Sequence, residues 1–109
     1  MDLLRGEIWW VDLDPTQGSE INEKRPCVVL SVDVINRHRK TVVVVPLSTG
    51  PSAWPPLTVA VNCNGRASVA VMDQLRAASK QRFGSRISAV NADEMEALED
   101  ALREILGML

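Results

Sequence analysis

VDLDPTQGSEINEKRP, residues Val11–Pro26, is the mostly polar segment around which this chain is organised. An apolar run, EIWWVDL over residues 7–13, leads into it, and a second run, CVVLSV over residues 27–32, follows it. Both runs are typical of β-strands with buried side chains. Because a hairpin needs only about two to five connecting residues, a connection of this length indicates a loop with a function of its own.

The residues of this loop favour a defined path. Asp14 and Pro15 favour a turn, and Gly18 can adopt backbone angles that other residues avoid. Pro26 restricts Arg25 to an extended conformation where the next strand begins. Glu20 and Arg25 are therefore the first candidates for functional residues.

The length and composition of the chain limit what it can be. Its 109 residues predict one domain, residues 1–109, with a core of its own. No apolar stretch approaches the roughly 20 residues of a membrane helix, so we expect a cytoplasmic protein without a membrane partner. Cys27 and Cys63 lack metal-ligand spacing, so we expect two reduced thiols, no metal and no cofactor.

Charge is distributed unevenly along the chain. The net charge of −2 argues against a nucleic-acid partner. Residues 93–109, however, hold six acidic side chains against one arginine, which gives −5, and residues 1–92 hold eleven basic against eight acidic side chains, which gives +3. Because a polyanion responds to the local field, the basic body permits RNA binding.

The remaining pattern predicts a β-rich domain that ends in a helix. TVVVVP, residues 41–46, indicates the central strand of the sheet, because β-branched residues without alternation are typical of a strand buried on both faces. We expect strands at residues 57–61 and 67–72, joined by an Asn-Gly turn, a short helical turn capped by Ser79, and a last strand near residues 86–90. The final helix begins at Asn91 and ends at Gly107.

Three aromatic residues have more than one interpretation. Trp9 and Trp10 are neighbours in the first strand and so must point to opposite faces, where we expect both in the core or an interface. Trp54 lies in the loop LSTGPSAWPP, residues 47–56, where it could stack on a base or cover the core, and the sequence favours neither.

His38, the sole histidine, lies in a charged turn, so the mechanism should work without it.

The chain holds several ordered motifs from Arg5 to the C-terminal helix, which are RGEIWWVDLDPTQGSE, the Arg25-Pro26 pair, VVPLST and SVAVMDQLRAASKQRFG. Together these motifs resemble the MazF/PemK toxin family of bacterial toxin–antitoxin systems. The resemblance implies an α+β fold, an SH3-like barrel or strongly bent antiparallel sheet with short helices and a C-terminal α-helix. It also implies a homodimeric, metal-independent endoribonuclease that cuts single-stranded mRNA, with a cognate antitoxin.

Metal-free RNA cleavage requires a proton acceptor, a fixed positive charge and a proton donor around the phosphate. Arg25 suits the positive charge because its guanidinium is planar and always ionised, and it matches a catalytic arginine of the family. Glu20, from the GSE motif, is the candidate base, and Ser48 stands where many relatives have threonine. Asp73 and Gln74 match the family's Asp-Gln pair near the substrate, and we assign further RNA contacts to the four residues Lys24, Thr49, Trp54 and Arg76.

Some residues depart from the family pattern. One branch of the family has an arginine where this chain has Val71, and INEK, residues 21–24, lacks a glycine often found there. Two alternatives to cleavage stay open, because fold does not determine function. They are a non-enzymatic toxin that resembles the gyrase poisons of this fold, and a catalytically silent member that only binds an antitoxin.

Overall fold

We describe the structure from a computed structural model, which defines residues 2–13 and 23–108. The turn at Asp14 and Pro15, the role of Gly18 and the candidate base Glu20 lie outside the described residues. The long loop therefore enters the description only through the two strands that flank it.

A single antiparallel sheet dominates the fold. Its strands are β1 (Glu7–Asp12), β2 (Lys24–Val29), β3 (Thr41–Ser48), β4 (Thr58–Cys63), β5 (Arg66–Val71), β6 (Arg76–Ser79) and β7 (Phe83–Ala89). The helices are α1 (Asp33–His38) and α2 (Ala92–Leu106), and two short 3-10 helices span Met72–Gln74 and Lys80–Arg82. The predicted bent sheet with short helices and a C-terminal helix is confirmed.

Strand β3 is the centre of the sheet, as its run of valines predicts. The strand order is β4-β5-β3-β2-β1-β7, and β6 also pairs with β3. The first half of β3 pairs with β6 through residues 41–44, and its end pairs with β5 through Leu47 and Ser48. One long strand thus changes partners along its length, which curls the sheet into a half-barrel.

The sheet has an apolar cluster on each face. Ile8, Val28 and Val45 belong to one cluster, which α2 covers through Leu98 and Ala101. The other cluster takes neighbouring positions of β1, β2 and β3 together with residues from outside these strands, and its members are Leu3, Val11, Leu13, Cys27, Val29, Val42, Val44, Ala78 and Phe83. Because both faces are buried, the central strands need apolar residues at consecutive positions.

Several predicted boundaries are wrong. Strand β2 begins at Lys24, three residues before the predicted start, and β7 begins at Phe83. Strand β6 was not predicted, because Arg76–Ser79 has no apolar alternation and forms a strand only by pairing with β3. The Ser79 cap is confirmed, since its hydroxyl accepts a hydrogen bond from the Gln81 N–H.

The two adjacent tryptophans differ in burial. Trp9 packs edge to face on Phe83, with ring centroids 6.3 Å apart, and its Nε1 donates to Glu7 Oε1. Trp10 is 44% exposed. Trp10 is therefore not a core residue in this single chain, and its place at an interface stays a prediction.

Helix α2 is capped as the sequence predicts. The Asn91 side chain accepts a hydrogen bond from the Glu94 N–H, and the Glu94 side chain accepts one from the Asn91 N–H. Gly107 ends the helix in the left-handed conformation at φ 67°. Arg5 ties the helix to the sheet, because its guanidinium pairs with Glu99 at 2.8 Å and donates to the Leu30 carbonyl.

Candidate functional site

The largest described cleft opens where strands β2 and β3 separate. The β2–β3 ladder runs from Val29–Val44 to Cys27–Pro46. If the register continued by two residues, Arg25 would lie opposite Ser48. Instead the strands separate and border a cleft of about 570 Å³, to which β2 contributes Lys24, Arg25 and Pro26.

Strand β3 and the segment after it supply the opposite wall of this cleft. Leu47 and Thr49 line it, and Ser48 lies between them in the chain, paired with Val69 of β5. Of the two hydroxyl residues predicted at this strand end, Thr49 therefore lines the same cleft as Arg25, and Ser48 only adjoins it. The structure thus brings together three predicted site residues, which are Lys24, Arg25 and Thr49.

Sequence reasoning missed the rest of the cleft wall. Trp10, Glu23, Cys63, Asn64, Arg66, Ser68 and Ile87 also line it. Arg66 and Asn64 come from the β4–β5 hairpin, which was identified only as a turn. A basic residue directly after an Asn-Gly turn was the one available signal, and it is weak because most such residues are simply solvated.

Arg76 and Arg25 both influence one buried thiol. Burial raises the pKa of the Cys27 thiol to about 12, while the charges of Arg76 and Arg25 both act to lower it. The thiol itself stays protonated at neutral pH and serves as a packed apolar group.

The other thiol lies in the cleft wall. Cys63 is partly buried, and this burial raises the pKa of its thiol, against the opposing charge of Arg66. No disulfide joins the two sulfurs, which are both free. The prediction of two reduced thiols agrees with this arrangement.

Four predicted RNA contacts lie outside the described wall of the cleft, and Arg76 of β6 is one of them. Asp73 and Gln74 form a 3-10 helix between β5 and β6, with Asp73 exposed and Gln74 partly buried. Trp54 is 73% exposed in the β3–β4 loop, where its backbone N–H donates to the Thr58 hydroxyl. Trp54 does not cover the core, so of its two interpretations only the solvent-facing aromatic surface remains, and its RNA contact stays a prediction.

Among the described residues, no three His, Cys, Asp or Glu side chains come close enough together to hold a metal ion. The described helices include none with the length and apolar character to span a membrane.

The fold and site together define a class of protein. An open cleft at the end of a half-barrel sheet, bordered by guanidinium, ammonium and hydroxyl groups, suits an extended polyanion such as single-stranded RNA. Residues 4–106 match the family model described as PemK-like, MazF-like toxin of type II toxin-antitoxin system. The chain belongs to this family.

Curated relatives and solved structures match along nearly the whole chain. The chain is 35% identical to endoribonuclease MazF9 of Mycobacterium tuberculosis, with 91% of this chain and 92% of the relative covered. It is 29% identical to endoribonuclease EndoA of Bacillus subtilis, with 100% and 98% covered.

Two solved structures share the fold. MazF from Deinococcus radiodurans superposes with a TM-score of 0.89 at 23% identity, with 99% of each chain covered. An endoribonuclease from a mycobacterial species, solved in complex with its cognate antitoxin, has a TM-score of 0.78 at 25% identity, with 99% of this chain and 96% of that chain covered.

Proposed function

We propose that this protein is the toxin of a type II toxin–antitoxin system and acts as a sequence-specific endoribonuclease on single-stranded mRNA. The observation that carries the proposal is the cleft at the end of the β2–β3 ladder, which Lys24, Arg25 and Thr49 line and which Ser48 adjoins in the chain. Family membership and the relatives named endoribonucleases support the same activity.

The proposed reaction is an internal transesterification that needs no metal ion. The ribose 2′-oxygen attacks the neighbouring phosphorus while its proton passes to a base, for which Glu20 is the candidate. The bond from phosphorus to the 5′-oxygen breaks, the leaving oxygen takes up a proton, and the products carry a 2′,3′-cyclic phosphate and a 5′-hydroxyl. Charge builds up on the phosphoryl oxygens in the transition state, and preorganised donors stabilise it.

Arg25 and Ser48 are the proposed phosphate ligands. A guanidinium presents donors in a fixed plane that matches two phosphoryl oxygens, and it keeps its charge throughout the reaction. The charge of Arg76 adds to that of Arg25 near Cys27 and strengthens the local positive field. Lys24 and Thr49 would bind neighbouring parts of the RNA backbone, and Asp73, Gln74 and Trp54 remain candidates for contacts with more distant nucleotides.

The proposal includes partners and location. A cognate antitoxin would bind this toxin and inhibit it. The mycobacterial endoribonuclease of the same fold, which was solved in complex with its cognate antitoxin, supports such a partner. We expect the toxin to form a homodimer. An mRNA substrate places the active protein in the cytoplasm.

The test is incubation of purified protein with a long single-stranded RNA in excess EDTA, followed by mapping of the RNA ends. We expect discrete cuts with cyclic-phosphate and 5′-hydroxyl ends from the wild type. Arg25→Ala should cut about 10² to 10³ times more slowly, the loss typical of one preorganised donor at an oxyanion. Arg103→Ala is the matched control, because Arg103 lies on α2 and pairs with Asp100.

RNA that the wild type leaves whole, across varied sequences, would contradict the proposed activity. Altered DNA supercoiling would then support the gyrase-poison alternative. Antitoxin binding without effect on either nucleic acid would support the silent member. If the wild type and Arg25→Ala cleave RNA at equal rates, the protein is a ribonuclease but Arg25 is not a catalytic residue.

A further inference from the structure

The exposed side of Trp10 borders two clefts rather than one. The first is the cleft with Arg25, and the second is a smaller cleft of about 290 Å³. Trp10 and Lys24 line both. The other residues of the second cleft are Asp12, Gln81, Arg82, Phe83 and Gly84. Its volume is close to the lower end of the range for small-ligand pockets.

A β-bulge in β7 lies opposite Trp10, the residue that borders both clefts. In the β1–β7 ladder Trp9 pairs with Arg86 and Val11 pairs with Phe83, so that residues 84 and 85 both face Trp10. Such bulges bend a strand and redirect a side chain, and they are frequent beside active sites. Gly84 has no side chain here, and a methyl group at that position would lie 3.5 Å from the Trp10 Cβ.

The second cleft combines an aromatic surface with a positive charge. Arg82 donates from Nη1 to the Asp12 carbonyl oxygen at 3.3 Å, which holds the guanidinium beside the end of β1. This contact takes one of the five N–H donors of the group. Phe83 also borders this cleft, but its ring is 7% exposed and packs edge to face on Trp9, on the other face of β1.

We propose that Trp10 separates two nucleotide subsites, and that the second cleft holds a nucleotide next to the cleaved phosphate. Its base stacks on the Trp10 indole, and Arg82 binds its phosphate. This inference rests on the proposed ribonuclease function and adds to it the residues that hold a flanking base. Single-stranded RNA fits better than a peptide, because an aromatic plane next to cations suits alternating bases and phosphates.

The experiment uses short RNAs that contain a mapped cut site, with each flanking base removed in turn to leave an abasic ribose. The wild type should lose about tenfold to a hundredfold in kcat/KM at one flanking position, the range expected for loss of one stacked base. Trp10→Leu keeps an apolar strand residue and removes the aromatic face. This variant should cut the intact RNA about as poorly as the wild type cuts the abasic one, with less than a threefold further loss on the abasic RNA.

Arg82→Gln tests the charge of the same subsite. We expect KM to rise severalfold. The slope of log KM against log salt concentration should fall by about one, the change that corresponds to the loss of one phosphate contact. Arg103→Gln, which removes an arginine on α2, is the control. A urea titration of each variant confirms that the fold is intact.

The outcomes separate this inference from the function on which it rests. If the wild type leaves all RNA whole, both fail. Suppose instead that the wild type cuts RNA, and that removal of each flanking base lowers kcat/KM by the same factor in Trp10→Leu as in the wild type. The ribonuclease function then stands and the second subsite is overturned. Loss of antitoxin binding in Trp10→Leu, with no change in RNA cleavage, would instead assign the surface to the antitoxin.

Discussion

The two ends of strand β3 use polar residues in opposite ways. At its first end, next to α1, Asn36 is only 2% exposed, and its side-chain amide donates to the carbonyls of Leu3 and Ser31. The Ser31 hydroxyl donates to Asn36 Oδ1 and accepts from the Val43 N–H. At the other end, Ser48 and Thr49 stand where β2 and β3 separate beside an open cleft.

This difference teaches where stability and function are located in the fold. The polar groups of the Asn36 network bond to one another, so they stabilise the junction between the N-terminal segment, α1 and β3. At the cleft end the strands stop pairing, which leaves room for a ligand between them. We call these regions the closed end and the open end of β3, and we expect substitutions at the two ends to have different consequences.

The largest effect on stability is expected at the closed end. Asn36→Leu removes the donors to two carbonyls and leaves the Ser31 hydroxyl without its amide partner, so the free energy of unfolding should fall by about 2–3 kcal/mol. Urea titration measures this. Val34→Ala, at an exposed position of the same helix, should change it by less than about 0.5 kcal/mol. RNA cleavage by Asn36→Leu at low temperature should stay close to that of the wild type, and a large loss would couple the two ends.

At the open end the same kind of change should affect catalysis instead. Ser48→Ala removes a hydroxyl proposed to bind the phosphate, and a hydrogen bond to a charged group of about 1–2 kcal/mol corresponds to a loss of about 5-fold to 30-fold in rate. The measurement is single-turnover cleavage of a short RNA. Thr41→Val, at the other end of the same strand, is the matched control. Equal rates for Ser48→Ala and the wild type would remove Ser48 from the site.

Glu7 provides a smaller, pH-dependent effect away from the cleft. Burial raises the pKa of its carboxyl, but hydrogen bonds from the Leu4 N–H, Arg86 and Trp9 outweigh this and lower the pKa below its ordinary value of 4.5. A lowered folded-state pKa stabilises the fold above pH 4.5, and this contribution is lost as pH falls through the folded-state value.

Glu7→Gln should therefore reduce the free energy of unfolding by about 1 kcal/mol at pH 7 and make it less sensitive to pH below about 4.5. Urea titrations between about pH 3.5 and 7 check this. Glu96→Gln, on the exposed side of α2, is the control. If the free energies of unfolding of the wild type and Glu7→Gln differ by a constant amount across this pH range, the pH dependence does not come from Glu7.

The smallest effect concerns thiol reactivity and needs no mutation. Iodoacetamide should modify Cys63, which is partly exposed in the cleft wall, faster than Cys27, whose buried thiol has a pKa of about 12. Mass spectrometry of timed samples gives both rates. Bound RNA should slow the modification of Cys63, because Cys63 lines the cleft. If bound RNA slows the modification of Cys27 but not that of Cys63, the RNA binds outside this cleft.

Local pattern was sufficient for much of the fold. The valines of β3 indicate a strand covered on both faces, and Asn91, Glu94 and Gly107 delimit α2, because capping depends on residues close in sequence. The motif resemblance to the family, which the family model confirms, supplied the class of protein and the hypothesis that Arg25 is catalytic.

The sequence by itself therefore determined the sheet-and-helix character, the family and a short set of candidate residues around Arg25 and Ser48. Only the tertiary structure decided that Trp10 borders the cleft, that Arg66 reaches its wall from a distant hairpin, and that the charges of Arg76 and Arg25 both act on the Cys27 thiol. These three facts depend on a bulge between β1 and β7, on the curl of the sheet and on the pairing of β6 with β3. Contacts between residues far apart in the chain leave no periodic signal in the sequence, so they appear only when the strands are assembled.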